Sequence, residues 1–307
     1  MATTTAGHGL GAPGTEGPDG GAPDRLEQLT AAGWVLPTGV PGLLGFTAKF
    51  ESVLTRLQTE LTAVDPSASS GPAWYPPVVP RANIDRAEYA ESFPQLLGTV
   101  HALRVGGASE EGRAADRAPG SRAETDVVLA PAVCYSVYPQ IADGTIEEAR
   151  FFDAVGHCYR HEATSEYGRF RAFRMREFVV VAGQDEAWEW RDAWIARCEA
   201  LFARLGLKVA VEVASDPFFG PGDRFMRSSQ LQQNLKYEFH APVRDGDPGT
   251  AIASANCHKE HLGERFAIDF AGEGPAHSSC MAFGLERTLS ALIHAHGDNL
   301  DDWPDFG

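Results

Sequence analysis

Five arginines crowd into 17 consecutive positions of a chain that is otherwise acidic. The 307 residues carry 26 Lys and Arg against 42 Asp and Glu, a net charge of −16, yet one stretch holds Arg160, Arg169, Arg171, Arg174 and Arg176. Guanidinium groups this close repel one another unless anions lie between them, and the planar arginine fork suits phosphate oxygens. The spacing indicates either a nucleoside triphosphate site or a solvated hairpin whose arginines pair with nearby Asp and Glu.

Three residues far apart in sequence form a second candidate site. Cys134, Glu177 and Cys280 would give two thiolates, one carboxylate and an open fourth position, the donor set of a catalytic zinc ion. The alternative is that each cysteine is a small buried hydrophobe, which is the commoner role of a free cysteine. We assign the remaining cysteines to packing: Cys158, Cys198 and Cys257.

The first 124 residues predict a disordered arm, one helix, one short strand and one exposed loop. Residues 1–23 are Gly, Ala, Thr and Pro with almost no bulky apolar side chain, which predicts a disordered arm. Apolar residues at helical spacing predict a helix over Leu43–Leu61, and a strand over Trp74–Val79 should stop at Pro80. Gly106–Glu124 is rich in Gly, Ala and charge, and predicts an exposed loop.

Strand pairs and helices mix in the rest of the chain without a β-α-β alternation, so we expect an α+β fold with an antiparallel sheet flanked by helices. One helix is predicted over Asp185–Leu205, closed by Gly206, and another over Leu285–His296, closed by Gly297. The predicted strands are Val155–His161, Phe173–Val181, Leu207–Val213, Tyr237–Val243, Thr250–Ala255, Arg265–Phe270 and Ser279–Phe283. Because side chains alternate along a strand, Phe173, Met175 and Glu177 should share one face and Arg174, Arg176 and Phe178 the other.

Composition limits the compartment and the partners. The sequence contains neither a run of about 18 apolar residues nor a signal-peptide pattern, so we expect no membrane association. Five widely spaced cysteines without a C-x-x-C pair fit a reducing compartment, and the expected location is the cytoplasm. A pI near 5.0 argues against a large basic surface for nucleic acid.

The arginine-rich stretch resembles motif 2 of the class II aminoacyl-tRNA synthetases. That motif reads Arg-x-Glu, a loop, then Arg-x-x-x-Phe, and the chain has Arg160-His161-Glu162 followed by Arg169-Phe170-Arg171-Ala172-Phe173. Gly284-Leu285-Glu286-Arg287 looks like motif 3, and the helix and strand that end at Pro80 look like a degenerate motif 1. The resemblance covers residues 42–300.

This resemblance implies a catalytic domain over residues 24–307 that forms adenylates from ATP with Mg²⁺, and a homodimer through motif 1. It implies that Arg160 holds the ATP α-phosphate and the substrate carboxylate, and that Glu162 and Arg169 contact the nucleotide. It also implies that Phe173 and Arg287 sandwich the adenine. Such transfers are catalysed chiefly by positioning and charge stabilisation.

Cys134, Glu177 and Cys280 are similar in placement to the Cys-Glu-Cys zinc site of atypical seryl-tRNA synthetases and of their truncated relatives, the amino acid:carrier-protein ligases. In those proteins zinc takes the amino group of the amino acid as its fourth ligand. Lys236–Pro242 and Ile252–Cys257 look like the seryl-type strand pair beside the ATP metal. The acidic residue expected there is replaced by Thr250 or Ala251, which leaves the magnesium ligand open.

The chain offers little room for an anticodon-binding or tRNA-arm domain, and its charge of −16 also argues against tRNA. The resemblance therefore implies an amino acid:[carrier protein] ligase, which passes a small amino acid of the glycine or alanine type to the phosphopantetheine thiol of a carrier protein. The alternatives are an enzyme that acts on tRNA and a non-catalytic paralogue that binds amino acid or nucleotide. Pro217–Lys236, with Arg224 and Arg227, is the candidate carrier-docking segment.

Overall fold

A computed structural model of the chain describes residues 24–65, 71–103, 121–161 and 166–304. The predicted arm over residues 1–23, most of the predicted loop over 106–124, and Glu162 lie outside these ranges. The last part of that loop prediction is wrong, because residues 122–124 begin a strand that pairs with Thr99–Leu103.

Eight α-helices and fifteen strands lie within the described ranges. The helices are α1 (Arg25–Ala31), α2 (Ala48–Val64), α3 (Arg81–Arg86), α4 (Tyr89–Ser92), α5 (Gln184–Arg204), α6 (Asp223–Gln232), α7 (His261–Phe266) and α8 (Leu285–His296). The strands are β1 (Val35–Pro37), β2 (Leu44–Phe46), β3 (Ala73–Tyr75), β4 (Val78–Pro80), β5 (Thr99–Leu103), β6 (Arg122–Leu129), β7 (Gly144–Ile146), β8 (Arg150–Tyr159), β9 (Ala172–Ala182), β10 (Ala210–Val213), β11 (Lys236–Ala241), β12 (Thr250–Lys259), β13 (Ile268–Phe270), β14 (Gly274–Pro275) and β15 (His277–Gly284).

A seven-stranded sheet in the order β10-β11-β12-β15-β9-β8-β3 forms the centre of the molecule. All its neighbours are antiparallel except β3 and β8. Phe178 on β9 stacks on Trp194 of α5 with ring centroids 4.4 Å apart, so the core lies between the sheet and this helix. The predicted α+β fold with an antiparallel sheet flanked by helices is confirmed.

Several boundaries follow from local chemistry. Helix α8 has the predicted bounds, because Gly297 ends it with a φ of +79°. The helix predicted over Leu43–Leu61 begins only at Ala48, because Leu44–Phe46 pairs with β1 and the Thr47 hydroxyl caps the helix by accepting the N–H of Phe50. The strand predicted over Arg265–Phe270 is shortened to β13, because α7 extends to Phe266.

Arg174 and Arg176 point away from the face that carries Glu177 and are neutralised by carboxylates. Both terminal nitrogens of Arg174 bond the carboxylate of Glu51, at 2.7 and 2.8 Å. Arg176 is fully buried and pairs with Asp153 at 2.6 and 2.9 Å. These two arginines therefore pair with carboxylates, as the hairpin alternative predicts, but the solvated hairpin is wrong, because Arg176 is fully buried and the Arg174 side chain is only 11% exposed.

We expect Arg176→Met to destabilise the fold by about 3–5 kcal/mol, because it leaves the Asp153 carboxylate buried without its partner. Urea unfolding followed by circular dichroism measures the change. The double variant Arg176→Met with Asp153→Leu should recover most of the lost stability, since a buried pair replaced by apolar side chains costs little. A double variant as unstable as the single one would contradict this explanation.

None of the helices in the described ranges is both long and apolar enough to cross a membrane.

Candidate active site

A cavity of about 570 Å³ opens on the face of the seven-stranded sheet opposite α5. Phe173, Met175 and Glu177 of β9 all line it, whereas Phe178 points to the other side and stacks on α5. The predicted alternation along this strand is therefore confirmed, because the register of β9 with β8 and β15 is continuous and contains no bulge.

The cavity floor consists of two cross-strand rows. In one row Glu238, Ser254, Ala282 and Glu177 are successive partners on β11, β12, β15 and β9. In the next row the successive partners are Lys236, Asn256, Cys280 and Val179. Neighbouring strands lie about 4.8 Å apart, so the number of strands between two residues of a row sets the distance between them.

Arg160, Arg169 and Arg287 line the same cavity, together with Phe173. The guanidinium carbon of Arg160 lies 5.5 Å from the centroid of the Phe173 ring, and its Nε donates to the carbonyl of Pro131 at 3.3 Å. Arg287 donates to the carbonyls of Gly168 at 2.7 Å and Ala251 at 3.2 Å, which places its guanidinium between the motif 2 loop and β12. The structure thus brings together four of the five predicted nucleotide residues, and Glu162 lies outside the described ranges.

The start of α8, which carries Arg287, is held by a buried carboxylate. Glu286 accepts the backbone N–H of Arg174 at 2.7 Å and its Nε at 2.6 Å. Burial raises the pKa of Glu286 above its usual value, although Arg174 opposes the shift. This pair ties the helix to β9 and so orients Arg287.

Cys134, Glu177 and Cys280 come together at the base of the cavity, and all three are buried. Glu177 Oε1 accepts the backbone N–H groups of Val133 at 2.7 Å and Cys134 at 3.1 Å. Burial raises the pKa of both thiols well above the usual value, and the negative charge of Glu177 adds to each shift. Within the part of the chain that the structure describes, no three His, Cys, Asp or Glu side chains already form a group that could hold a metal ion.

Two further side chains contact Cys280. Asn256 Nδ2 lies 3.3 Å from its sulfur, and His258 Nε2 lies 3.7 Å from it. The other ring nitrogen of His258 contacts the Ser278 hydroxyl at 3.0 Å, and burial lowers the pKa of the imidazole to about 4. Sequence reasoning missed both contacts, although Asn256 opposes Cys280 directly in the β12–β15 register.

A half-buried ion-pair cluster, also missed from sequence, lines the cavity on the β11 side. Lys236 Nζ lies 2.5 Å from Asp216 Oδ1 and 3.0 Å from Glu238 Oε1. Burial opposes ionisation of Asp216, but Lys236 and Gln230 outweigh it and hold the pKa of Asp216 below its usual value. Both charges are therefore present in the folded protein at neutral pH.

The region of the missing acidic residue contains two other carboxylates. Asp247 accepts the Thr250 hydroxyl at 2.8 Å and two backbone N–H groups, so it stabilises its own turn. Glu238 lines the cavity from β11, which pairs with β12 as expected of the two sequence segments.

Pro217–Lys236 contains the exposed helix α6 beside the cavity mouth. Phe225 is 75% exposed and Phe219 is 63% exposed, and every residue of α6 is exposed or half-buried. The side chain of Gln230 links the helix to Asp216 by two hydrogen bonds, of 2.6 and 2.8 Å.

Comparison with known proteins identifies the family to which this chain belongs. The tRNA synthetase class II core domain (G, H, P, S and T) matches residues 121–296. Amino acid–[acyl-carrier-protein] ligase 1 of Bradyrhizobium diazoefficiens is 38% identical over 274 residues, which cover 87% of this chain and 83% of that protein.

More distant relatives share the catalytic core. The type-2 serine–tRNA ligase of Methanococcus maripaludis is 30% identical over 188 residues, and the match spans 58% of this chain but 37% of that enzyme. The seryl-tRNA synthetase of M. kandleri, solved with A. aeolicus tRNASec, superposes with a TM-score of 0.75 over 92% of this chain and 59% of that chain, at 20% identity. On the core-domain match and the identity to the Bradyrhizobium enzyme, this chain belongs to the class II tRNA synthetase superfamily and, within it, to the amino acid–[acyl-carrier-protein] ligases.

Proposed function

We propose that this protein activates a small amino acid, of the glycine or alanine type, as its adenylate and transfers it to the phosphopantetheine thiol of a carrier protein. The observation that carries the proposal is that one cavity joins Arg160, Arg169 and Arg287 to the buried Cys134–Glu177–Cys280 group. The 38% identity to a named amino acid–[acyl-carrier-protein] ligase over most of both chains supports it.

In the first step, a carboxylate oxygen of the amino acid forms a bond to the α-phosphorus of ATP while the bond to pyrophosphate breaks. We assign Arg160 to the carboxylate and the α-phosphate, and Arg169 and Glu162 to the nucleotide. We assign Phe173 and Arg287, which line the same cavity, to the two faces of the adenine, one as a ring and one as a guanidinium plane. Fixed cations that face the developing charge lower the barrier without a nucleophilic side chain.

We propose that Cys134, Glu177 and Cys280 bind Zn²⁺. Burial raises the pKa of all three groups, and the charge of Glu177 adds to the shift of both thiols, so a divalent cation is the counter-charge that would favour the ionised donors. Glu177 uses Oε1 for backbone amides, which leaves Oε2 as its metal donor. When bound, zinc would supply a Lewis-acid position for the amino group of the substrate.

ATP enters such reactions with Mg²⁺. Asp247 is engaged within its own turn and Glu238 pairs with Lys236 at 3.0 Å, so we assign neither carboxylate to the nucleotide metal. Thr250 and Ala251 supply no carboxylate in its place.

We also propose a homodimer, in which the β3 edge of the seven-stranded sheet contacts the partner subunit. Trp74 on β3 is 59% exposed and Phe151 on β8 is 46% exposed at that edge. All five cysteines are free and buried, which agrees with the cytoplasmic location expected from sequence.

In the second step, the carrier thiol attacks the acyl carbon of the adenylate, and AMP leaves. We propose that α6 and its flanks form the docking surface, because Phe219 and Phe225 are exposed and Pro217 and Gln230 of the same segment line the cavity. Carrier proteins are usually acidic, and Arg224 and Arg227 supply positive charge on the same helix.

Phe225→Asp should raise the KM for the carrier at least about tenfold, because it removes an exposed aromatic anchor and adds a charge that repels an acidic partner. The kcat and KM of adenylate formation should stay within about twofold of wild type. Leu36→Asp is the control, since Leu36 is also exposed but lies in the separate β1–β2 sheet. Equal carrier KM values for the two variants would rule out α6 as the docking surface.

The transfer step is tested with radiolabelled amino acid, ATP and two acceptors, a phosphopantetheine-loaded acyl carrier protein and total tRNA. We expect label on the carrier that hydroxylamine releases, as a thioester requires, and none on the carrier without its prosthetic group. Label on tRNA would favour the synthetase alternative. Binding of amino acid without label on either acceptor would favour the non-catalytic alternative.

A further inference from the structure

Two small side chains, Ser254 and Ala282, leave open space above one part of the cavity floor. Ser254 and Ala282 lie between Glu177 and Glu238 in a single cross-strand row. Ser254 is two strands from Glu177, a distance of about 10 Å at ordinary strand spacing. This gap adjoins the Cys134–Glu177–Cys280 group, so it is the space that the α-carbon substituent of a bound amino acid would enter.

The ion pair of Asp216 and Lys236 closes this space on the side away from Glu177. Lys236 belongs to the next row, two strands from Cys280, and its ammonium group contacts both Asp216 and Glu238. The charge of Lys236 acts on Cys280, and that of Asp216 interacts with Arg160. The pair therefore lies within electrostatic reach of both ends of the proposed amino-acid site.

Hydrogen bonds to Gln230 hold Asp216 in place, so the Asp216–Lys236 pair resists displacement. The backbone N–H of Asp216 donates to Gln230 Oε1 at 2.6 Å, and Gln230 Nε2 donates to Asp216 Oδ2 at 2.8 Å. Swinging Lys236 out of the way would leave the half-buried carboxylates of Asp216 and Glu238 without their shared cation, and swinging Asp216 away would break its two hydrogen bonds with Gln230. One or two added methylenes of a larger substrate side chain would have to offset the loss of several such contacts at once.

We propose that the Asp216–Lys236 pair is the wall that restricts the amino acid to side chains of about the size of hydrogen or methyl. The inference rests on the proposed function and goes beyond it by naming the residues that set the limit. The same pair disfavours amino acids with charged side chains, because each charge of the pair already has a partner.

The test compares kcat/KM for glycine, alanine, 2-aminobutyrate and norvaline in ATP–pyrophosphate exchange. Asp216→Ala with Lys236→Ala removes the wall as a neutral pair, and the norvaline-to-glycine ratio should rise at least about tenfold. Asp216→Asn with Lys236→Met is the matched control, because it removes the charges but keeps the volume. Its ratio should stay within about threefold of wild type.

Asp216→Glu tests the wall from the other direction and keeps the ion pair, so it does not depend on the folding of the double variant. One added methylene should lower the alanine-to-glycine ratio about tenfold. Unchanged ratios in Asp216→Glu and in the folded alanine pair would overturn the wall while leaving the proposed function intact. A wild-type protein that exchanges with no amino acid would instead remove the proposed function and this inference with it.

Discussion

Replacing Arg160 with alanine is expected to lower kcat/KM for ATP–pyrophosphate exchange about 1,000-fold, or about 4 kcal/mol of transition-state stabilisation. Arg160 lines the cavity beside Phe173, and its guanidinium is oriented by the ring face and by the carbonyl of Pro131. A charge held in place before the reaction stabilises the α-phosphate without reorganisation, which is why its loss is costly.

Two further variants separate this role from a structural one. Arg160→Lys keeps the charge but not the planar fork, so we expect an intermediate loss of about 10- to 100-fold. Arg150→Ala is the control, because Arg150 is a half-exposed arginine of the neighbouring strand β8 that lies outside the cavity. We expect wild-type exchange from it. Full exchange by Arg160→Ala would exclude Arg160 from the reaction.

Replacing Cys280 with serine is expected to abolish zinc retention and adenylate formation together. Its thiol lies against Glu177 and accepts a contact from Asn256 at 3.3 Å, and a serine hydroxyl is a far weaker zinc ligand than a thiolate. We expect zinc affinity to fall at least about 100-fold, measured by metal analysis after dialysis against a chelator. With cobalt in place of zinc, the sulfur-to-metal absorption should weaken as well. Cys134→Ser should behave in the same way.

Cys198→Ser is the matched control for these variants. Cys198 is equally buried but lies on α5, on the far side of the sheet. It should keep its zinc and its exchange activity even if some stability is lost. Arg287→Ala should show the complementary pattern, with zinc retained and the KM for ATP raised. Activity in a zinc-free Cys280→Ser protein would refute the metal assignment.

The sequence predicts the elements best where one residue ends them. Gly206 and Gly297 lie where the backbone turns to positive φ after α5 and α8, and both helix ends fall there. The predicted start of α2 is wrong, because the apolar spacing in Leu44–Phe46 fits a helix as well as it fits a strand. Pairing with β1 selects the strand.

Within the site, alternation along β9 correctly separates Glu177 from Arg176, because it depends only on a strand without bulges. The partners of Arg174 and Arg176 could not be predicted in the same way, since Glu51 is 123 residues from Arg174 in sequence. The contact of Asn256 with Cys280 depends on the register of β12 with β15, and the Asp216–Lys236 pair joins strand β11 to the loop before α6. Only the folded sheet brings these partners together.

The most direct test of the account is ATP–pyrophosphate exchange on the purified protein against all common amino acids, with zinc measured in the same sample. We predict exchange with glycine, alanine or both, and about one zinc per chain. Zinc-loaded protein that exchanges with no amino acid would contradict the assignment of this cavity as an adenylate-forming site. Exchange without zinc would retain the adenylation chemistry and reject the Cys134–Glu177–Cys280 centre.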